Sequence, residues 1–320
     1  MQMIDAARVH QLLGYEGLVE ALRKAHLGEM PKMSDRHIYE EAHADGRPDI
    51  FILLPAWEPE EGMLVKLVTS FPRNKERHGI STVNSIYAFI NGETGVTEAI
   101  IDGEAVIFRK TSADSALGAS ILARKDAKTL LMVGAGGLAP YLVRAHMSVR
   151  PGIERVLIWN RSPLPAERLT AQLRNEGIPA VVAPDLDTAI PQADILSSAT
   201  MAEEPIIKGR LLKPGAHVDL VGSFTPEMRE ADDDVIRRSA IFVDHRQTTE
   251  RSGEFTRPYA AGLITPSDVR GDLFALCQGR IPGRTSADEI TMMKNGGGSH
   301  IDYFVAKYVM EQHKRTMSGA

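Results

Sequence analysis

TLLMVGAGGLA, Thr129 to Ala139, is the stretch whose reading decides the fold. The apolar run Leu130–Val133 reads as a short buried strand, Gly134, Gly136 and Gly137 as a tight turn, and Leu138 to Val149 as an amphipathic helix. Gly134, Gly136 and Ala139 fill the G-x-G-x-x-G/A pattern of a dinucleotide site. Each position answers a separate physical demand. Gly134 allows the tight turn, and the missing side chain at Gly136 lets the backbone approach a pyrophosphate. Ala139 keeps the helix close to the strand, so that its positive end and free N–H groups face the anion.

Downstream of this loop, strands and helices alternate: a strand at Arg155–Trp159, a helix at Ala166–Asn175, and short strands at 180–183, 194–199, 216–222 and 240–244. That rhythm predicts a parallel, doubly wound sheet. Past Asp244 the chain reads as loop-rich up to a second glycine cluster, Lys294 to Gly298. A last amphipathic helix, Ile301 to Glu311, is expected to leave the nucleotide domain and pack on the first one.

Upstream, the rhythm differs. Residues 4 to 30 read as two short helices broken near Gly14. A strand over Asp49–Ala56, stopped by Pro55, precedes another at Met63–Phe71. A hairpin follows, Thr82–Ile90 with Val96–Ile101 across NGETG. Ala105–Phe108 reads as a strand end, and Thr111 or Ser112 as the cap of a helix reaching about Arg124. The expected class is α/β: a Rossmann domain over 119–298, and an α+β domain over 1–118 to which 299–320 return.

Bulk properties narrow the function. A net charge of −5 gives no reason to expect nucleic acid or an anionic membrane as partner. The single cysteine, Cys277, excludes an intrachain disulfide framework and suits a reducing cytoplasm. No apolar run is long enough for a membrane span. Without an H-E-x-x-H pattern or paired histidine spacing, no protein-bound metal is expected.

Where a Rossmann site places an acid to bind the ribose 2′-hydroxyl of NAD, this chain has Asn160, Arg161 and Ser162. An arginine with small polar groups suits a 2′-phosphate, which favours NADPH and leaves NADH open; the same residues also read as a plain polar turn. Lys66, flanked by Leu64, Val65, Leu67 and Val68, must either emerge at an edge or meet an anion. Arg36, Arg109 and Lys110 are ordinary surface cations singly, but together with Lys66 they compose a clamp for a carboxylate. Glu230 to Asp234 reads as a solvated helix start.

Several segments together resemble the ornithine cyclodeaminase and mu-crystallin family: Lys66 in its strand, the NGETG hairpin, RKTSADSALGA at 109–119, GAGGLA at 134–139, VGSFTPEMRE at 221–230 and GRTSADEITMMKNGGG at 283–298. The resemblance implies a first domain that binds substrate and forms a homodimer, and a Rossmann domain that binds the nucleotide. It puts Arg36 and Lys66 on the substrate carboxylate and leaves open which of Arg109 and Lys110 joins them. It also sets Phe224 where cyclodeaminases carry an aspartate, and Ile52 where they carry an acid of the first strand. Thr82, Thr111, Gly134, Ala135, Gly136, Gly137, Leu138, Asn160, Arg161, Ser162, Ala199, Thr200, Val221, Gly222 and Gly297 are the expected nucleotide contacts. The expected activity is NADPH-dependent reduction of a cyclic imino acid, Δ1-pyrroline-2-carboxylate to L-proline or its six-membered analogue to L-pipecolate, with Lys66 as the catalytic group. An ammonia-releasing ornithine cyclodeaminase, a non-catalytic NADPH and small-ligand binder, and a linear alanine dehydrogenase are the other readings.

Overall fold

The computed structural model describes residues 1–34 and 36–318. It divides into two compact units, residues 1–110 with 298–320, and residues 111–297.

The first unit is a seven-stranded sheet with helices on one face. Strands β1 (Gln2–Ile4), β2 (Lys32–Met33), β3 (His37–Glu41), β4 (Asp49–Glu58), β5 (Gly62–Ser70), β6 (Val83–Asn91) and β7 (Thr97–Asp102) pair in the order β1-β7-β6-β5-β4-β2, with β3 also on β4. Only β1 runs parallel to its neighbour. Side chains alternate between the faces. Leu64, Tyr87, Phe89, Ala99 and Ile101 turn inward and are buried, on the side where helix α1 (Ala6–Leu12) and the last helix, Ser299–Met317, contact the strands and α2 (Tyr15–Ala25) packs on that last helix. The opposite face carries Tyr39, Phe51, Trp57 and Ile86, which are exposed.

Two local expectations change here. Pro55 does not stop β4, which continues to Glu58. On its outer side β4 pairs with β3 through Leu53 and with β2 from Ala56, so the proline occupies a gap in that ladder. Ala105–Phe108 is helix rather than strand. The helix runs over Gly103–Leu122, and the Asp102 carboxylate accepts the Ala105 N–H at 2.8 Å, capping it well before Thr111.

The second unit contains eight strands, all parallel: β8 (Thr129–Val133), β9 (Arg155–Trp159), β10 (Ala180–Val182), β11 (Ile195–Ser198), β12 (His217–Leu220), β13 (Ser239–Val243), β14 (Val269–Asp272) and β15 (Ile290–Lys294). Their order is β10-β9-β8-β11-β12-β15-β13-β14. The chain is thus an α/β protein, with a Rossmann-type sheet in its second unit and an α+β arrangement in its first. The stretch read as loop after Asp244 supplies β14 and β15, and β15 is buried throughout, between β12 and β13. Strand order reverses between β8 and β11, the kind of switch point where open parallel sheets bind ligands. Among the described residues no helix is long and apolar enough to cross a membrane.

Candidate active site

In the second unit, β8 delivers the chain to Gly134 with φ +99°, a region that disfavours other residues. The Gly134 N–H donates to the Trp159 carbonyl at 2.8 Å, and a Cβ at this position would lie 2.7 Å from the Ala199 oxygen. Asn160 braces the turn. Its Oδ1 accepts the Ala135 N–H at 3.1 Å, and its Nδ2 donates to the Ser162 carbonyl at 2.9 Å. The space in front of Gly136 is open for at least 4 Å, which is the room an approaching pyrophosphate needs. Gly137 and Leu138 lead into the helix Ala139–Val149. A cavity of about 320 Å³ is lined by Gly134 to Gly136, Trp159 to Ser162 and Ala199 to Ala202. It brings together most of the expected nucleotide residues, with Arg161 exposed at its rim.

The floor of this cavity rests on a residue that was expected in solvent. Glu230 is fully buried. Its Oε1 accepts the Ser198 hydroxyl at 2.6 Å and both the N–H and hydroxyl of Thr200 at 2.8 Å, while Oε2 accepts the Gly222 N–H at 2.7 Å. One carboxylate therefore ties the turn after β11 to the turn after β12. The Glu230 N–H in turn donates to Glu254, whose carboxyl is pushed up to about 7, chiefly by burial. The acidic run fails as a solvated helix start because its helix begins only at Asp233, behind the Asp232 cap.

Other expected nucleotide contacts lie elsewhere. Val221 donates its N–H to the Ser198 carbonyl, the Thr111 carbonyl accepts from Asn295, and the Gly297 N–H donates to Asp244 at 2.6 Å. Thr82 belongs to the first unit, where its carbonyl accepts the Phe71 N–H. Phe224 is about half exposed, in the turn after β12.

In the first unit, Lys66 on β5 stands opposite Tyr87 on β6. Its side chain is 12% exposed, with Nζ 3.6 Å from Asp302 Oδ2 and 5.6 Å from the centre of the Tyr87 ring. Lys110, 5% exposed, approaches Asp302 Oδ1 to 2.5 Å, and the Tyr87 hydroxyl donates to the same oxygen at 2.6 Å. Two ammonium groups share one buried carboxylate, so at neutral pH the cluster keeps a surplus positive charge. Burial pushes Lys66 down to about 8; Asp302 opposes that shift, while Lys110 and Arg36 reinforce it. A shift of this size is worth roughly 3 kcal/mol against the charged form. Burial alone would raise Asp302, but Lys110 and Lys66 outweigh it and hold the carboxyl below its usual range. Burial and the Asp302 charge raise the Tyr87 phenol well above 10.

Arg36 is exposed, just before β3, and adds its positive charge to the field at Lys66. Arg109 goes elsewhere: its guanidinium donates to the His10 ring and carbonyl, both at 3.2 Å, and lies 4.9 Å over Tyr15. Lys110, not Arg109, thus joins Lys66. Sequence reading missed Asp302 and Tyr87. Asp302 lies three residues before Val305 and seven before Val309, on the flank of the apolar stripe, and that position was the available signal.

The model of the ornithine cyclodeaminase/mu-crystallin family matches residues 3–317. A Delta(1)-pyrroline-2-carboxylate reductase of Paracoccus denitrificans is 44% identical over 311 residues, covering 96% of this chain and 94% of that protein. Among solved structures, the Thermococcus litoralis Delta(1)-pyrroline-2-carboxylate reductase in complex with NADH and L-proline superposes with a TM-score of 0.90 at 27% identity, over 100% of this chain and 99% of that one. The iminosuccinate reductase of Paracoccus denitrificans in complex with NAD+ gives 0.88 at 26%, over 99% and 97%.

Proposed function

Because the chain belongs to the ornithine cyclodeaminase/mu-crystallin family, we propose that it reduces Δ1-pyrroline-2-carboxylate to L-proline, and the six-membered Δ1-piperideine-2-carboxylate to L-pipecolate, with NADPH preferred over NADH. The chain is an NAD(P)H-dependent oxidoreductase acting on C=N bonds. The observation that carries the substrate is the buried surplus of positive charge around Asp302, which calls for one small anion. A carboxylate next to an imine supplies it. Arg36 and Lys110 would hold that carboxylate and so fix the ring.

The glycine turn, the open space at Gly136 and the braced Asn160 fit a dinucleotide pyrophosphate, and Arg161 with Ser162 would take a 2′-phosphate. When bound, the reduced nicotinamide supplies a hydride to C2. The C=N electron pair then moves to the ring nitrogen, which takes a proton from Lys66 Nζ; the lysine regains its proton from water.

Phe224 speaks against the cyclodeaminase reading, since the family resemblance sets this phenyl group where cyclodeaminases carry an aspartate. We also propose a homodimer, because Tyr39, Phe51, Trp57 and Ile86 leave an apolar sheet face in solvent. The deciding experiment mixes purified protein with Δ1-pyrroline-2-carboxylate and either cofactor and follows loss of the reduced-nicotinamide absorbance. Turnover yielding L-proline is expected. Ammonia release from ornithine with NAD, without imine reduction, would overturn the proposal, and cofactor binding without any turnover would leave only a ligand-binding role.

A further inference from the structure

We propose that Asp302 is a positioning residue of this reaction, the built-in counter-ion that holds Lys66 and Lys110 in place and keeps Lys66 charged as the proton donor. The inference rests on the reading of the site as a reductase of cyclic imino acids. Asp302 is 1% exposed on the last helix, and its partners come from three other elements: Lys66 from β5, Tyr87 from β6 and Lys110 from the helix Gly103–Leu122. Their roles differ by distance. Oδ1 is engaged at hydrogen-bond range by both Lys110 and Tyr87, at 2.5 and 2.6 Å. Oδ2 faces Lys66 at 3.6 Å, a charge contact too long for a hydrogen bond.

The short contact to Asp302 takes one of the three N–H donors of Lys110. Lys66 makes the longer contact with the same carboxylate. The groups facing Lys66 are Asp302, Lys110, Arg36 and Tyr87. Asp302 is the one carboxylate among them, and the Tyr87 proton is spent on it. Removing that negative charge would leave a buried ammonium beside two cations, and Lys66 would lose its proton at a lower pH. A purely space-filling residue would have no such effect.

The test uses the full-length protein and follows kcat and KM for Δ1-pyrroline-2-carboxylate from about pH 6 to 10, with NAD(P)H affinity measured separately. For Asp302→Asn, the alkaline limb of kcat/KM is expected to move down by at least about one pH unit, with kcat lowered at least tenfold and cofactor affinity unchanged. Asp302→Glu keeps the charge but shifts the carboxylate. It should keep the limb in place and lower kcat, and it serves alone if the asparagine variant does not fold. An unmoved limb in Asp302→Asn, or an undiminished kcat in Asp302→Glu, overturns the inference. A wild-type protein that reduces no cyclic imine overturns the functional reading itself, and this proposal with it.

Discussion

Lys110 Nζ lies 2.5 Å from Asp302 Oδ1, joining the helix that begins at Gly103 to the one that begins at Ser299. The contact separates two cations that adjacency in sequence leaves equivalent. Neighbouring residues of a helix point about 100° apart, so Arg109 and Lys110 leave the helix in different directions. Arg109 turns to His10 and Tyr15, and Lys110 turns to the buried carboxylate.

Lys66→Ala is expected to lower kcat/KM for Δ1-pyrroline-2-carboxylate by about 10²- to 10⁴-fold. Cofactor affinity, read from nicotinamide fluorescence, should hardly change. A variant with the wild-type rate would remove Lys66 from the chemistry.

Because burial lowers Lys66 to about 8, the group is an ammonium below that pH and an amine above it. The wild-type kcat/KM should therefore fall as pH rises through about 8, while Asp302, held below the usual carboxylate range, stays ionised throughout. A rate profile that stays level well beyond pH 8 contradicts a proton-donating Lys66.

Arg161→Ala should weaken NADPH at least about tenfold and NADH hardly at all, since only the former has a phosphate for the guanidinium to pair with. Equal losses for both cofactors would assign Arg161 to the turn alone.

Glu230→Ala would strip the acceptor from Ser198, Thr200 and Gly222 at once. A stability loss of about 3 kcal/mol or more is expected in urea unfolding, together with weaker binding of both cofactors. If affinity survives, the two turns keep their shape without the carboxylate.

Ile86→Lys places a charge on the exposed apolar sheet face. Sedimentation is expected to report a dimer for the wild type and a monomer for this variant, with the first unit still folded; a dimer that persists moves the interface elsewhere.

Where local pattern and tertiary role coincide, the fold is readable from residues alone. The run before Gly134, the NGETG hairpin and the inward alternation of Leu64 and Lys66 are of this kind. Where they part, it is not. Ile290–Lys294 has no alternation, because its strand is buried on both faces, and its lysine opens the KNGGG run, which resembles a loop. Pro55 looks like a strand end until the gap between β2 and β3 is known. Glu230 and Asp302 look like solvent-facing acids, since nothing local reveals that their donors come from distant strands and helices. Half of the candidate site, its cations and glycines, could be found by residue type. The carboxylates that organise them could not.

The placement of β15 between β12 and β13 bears on how the protein is made. A ribosome delivers the chain from its amino end, and a domain usually folds as it emerges. Here the second unit lacks an interior strand until Ile290–Lys294 has been synthesised, and the first lacks the helix that carries Asp302 until Ser299–Met317 follows. Both units wait on the same late stretch of translation, so a nascent chain arrested before it would expose two unfinished cores, a natural substrate for chaperones.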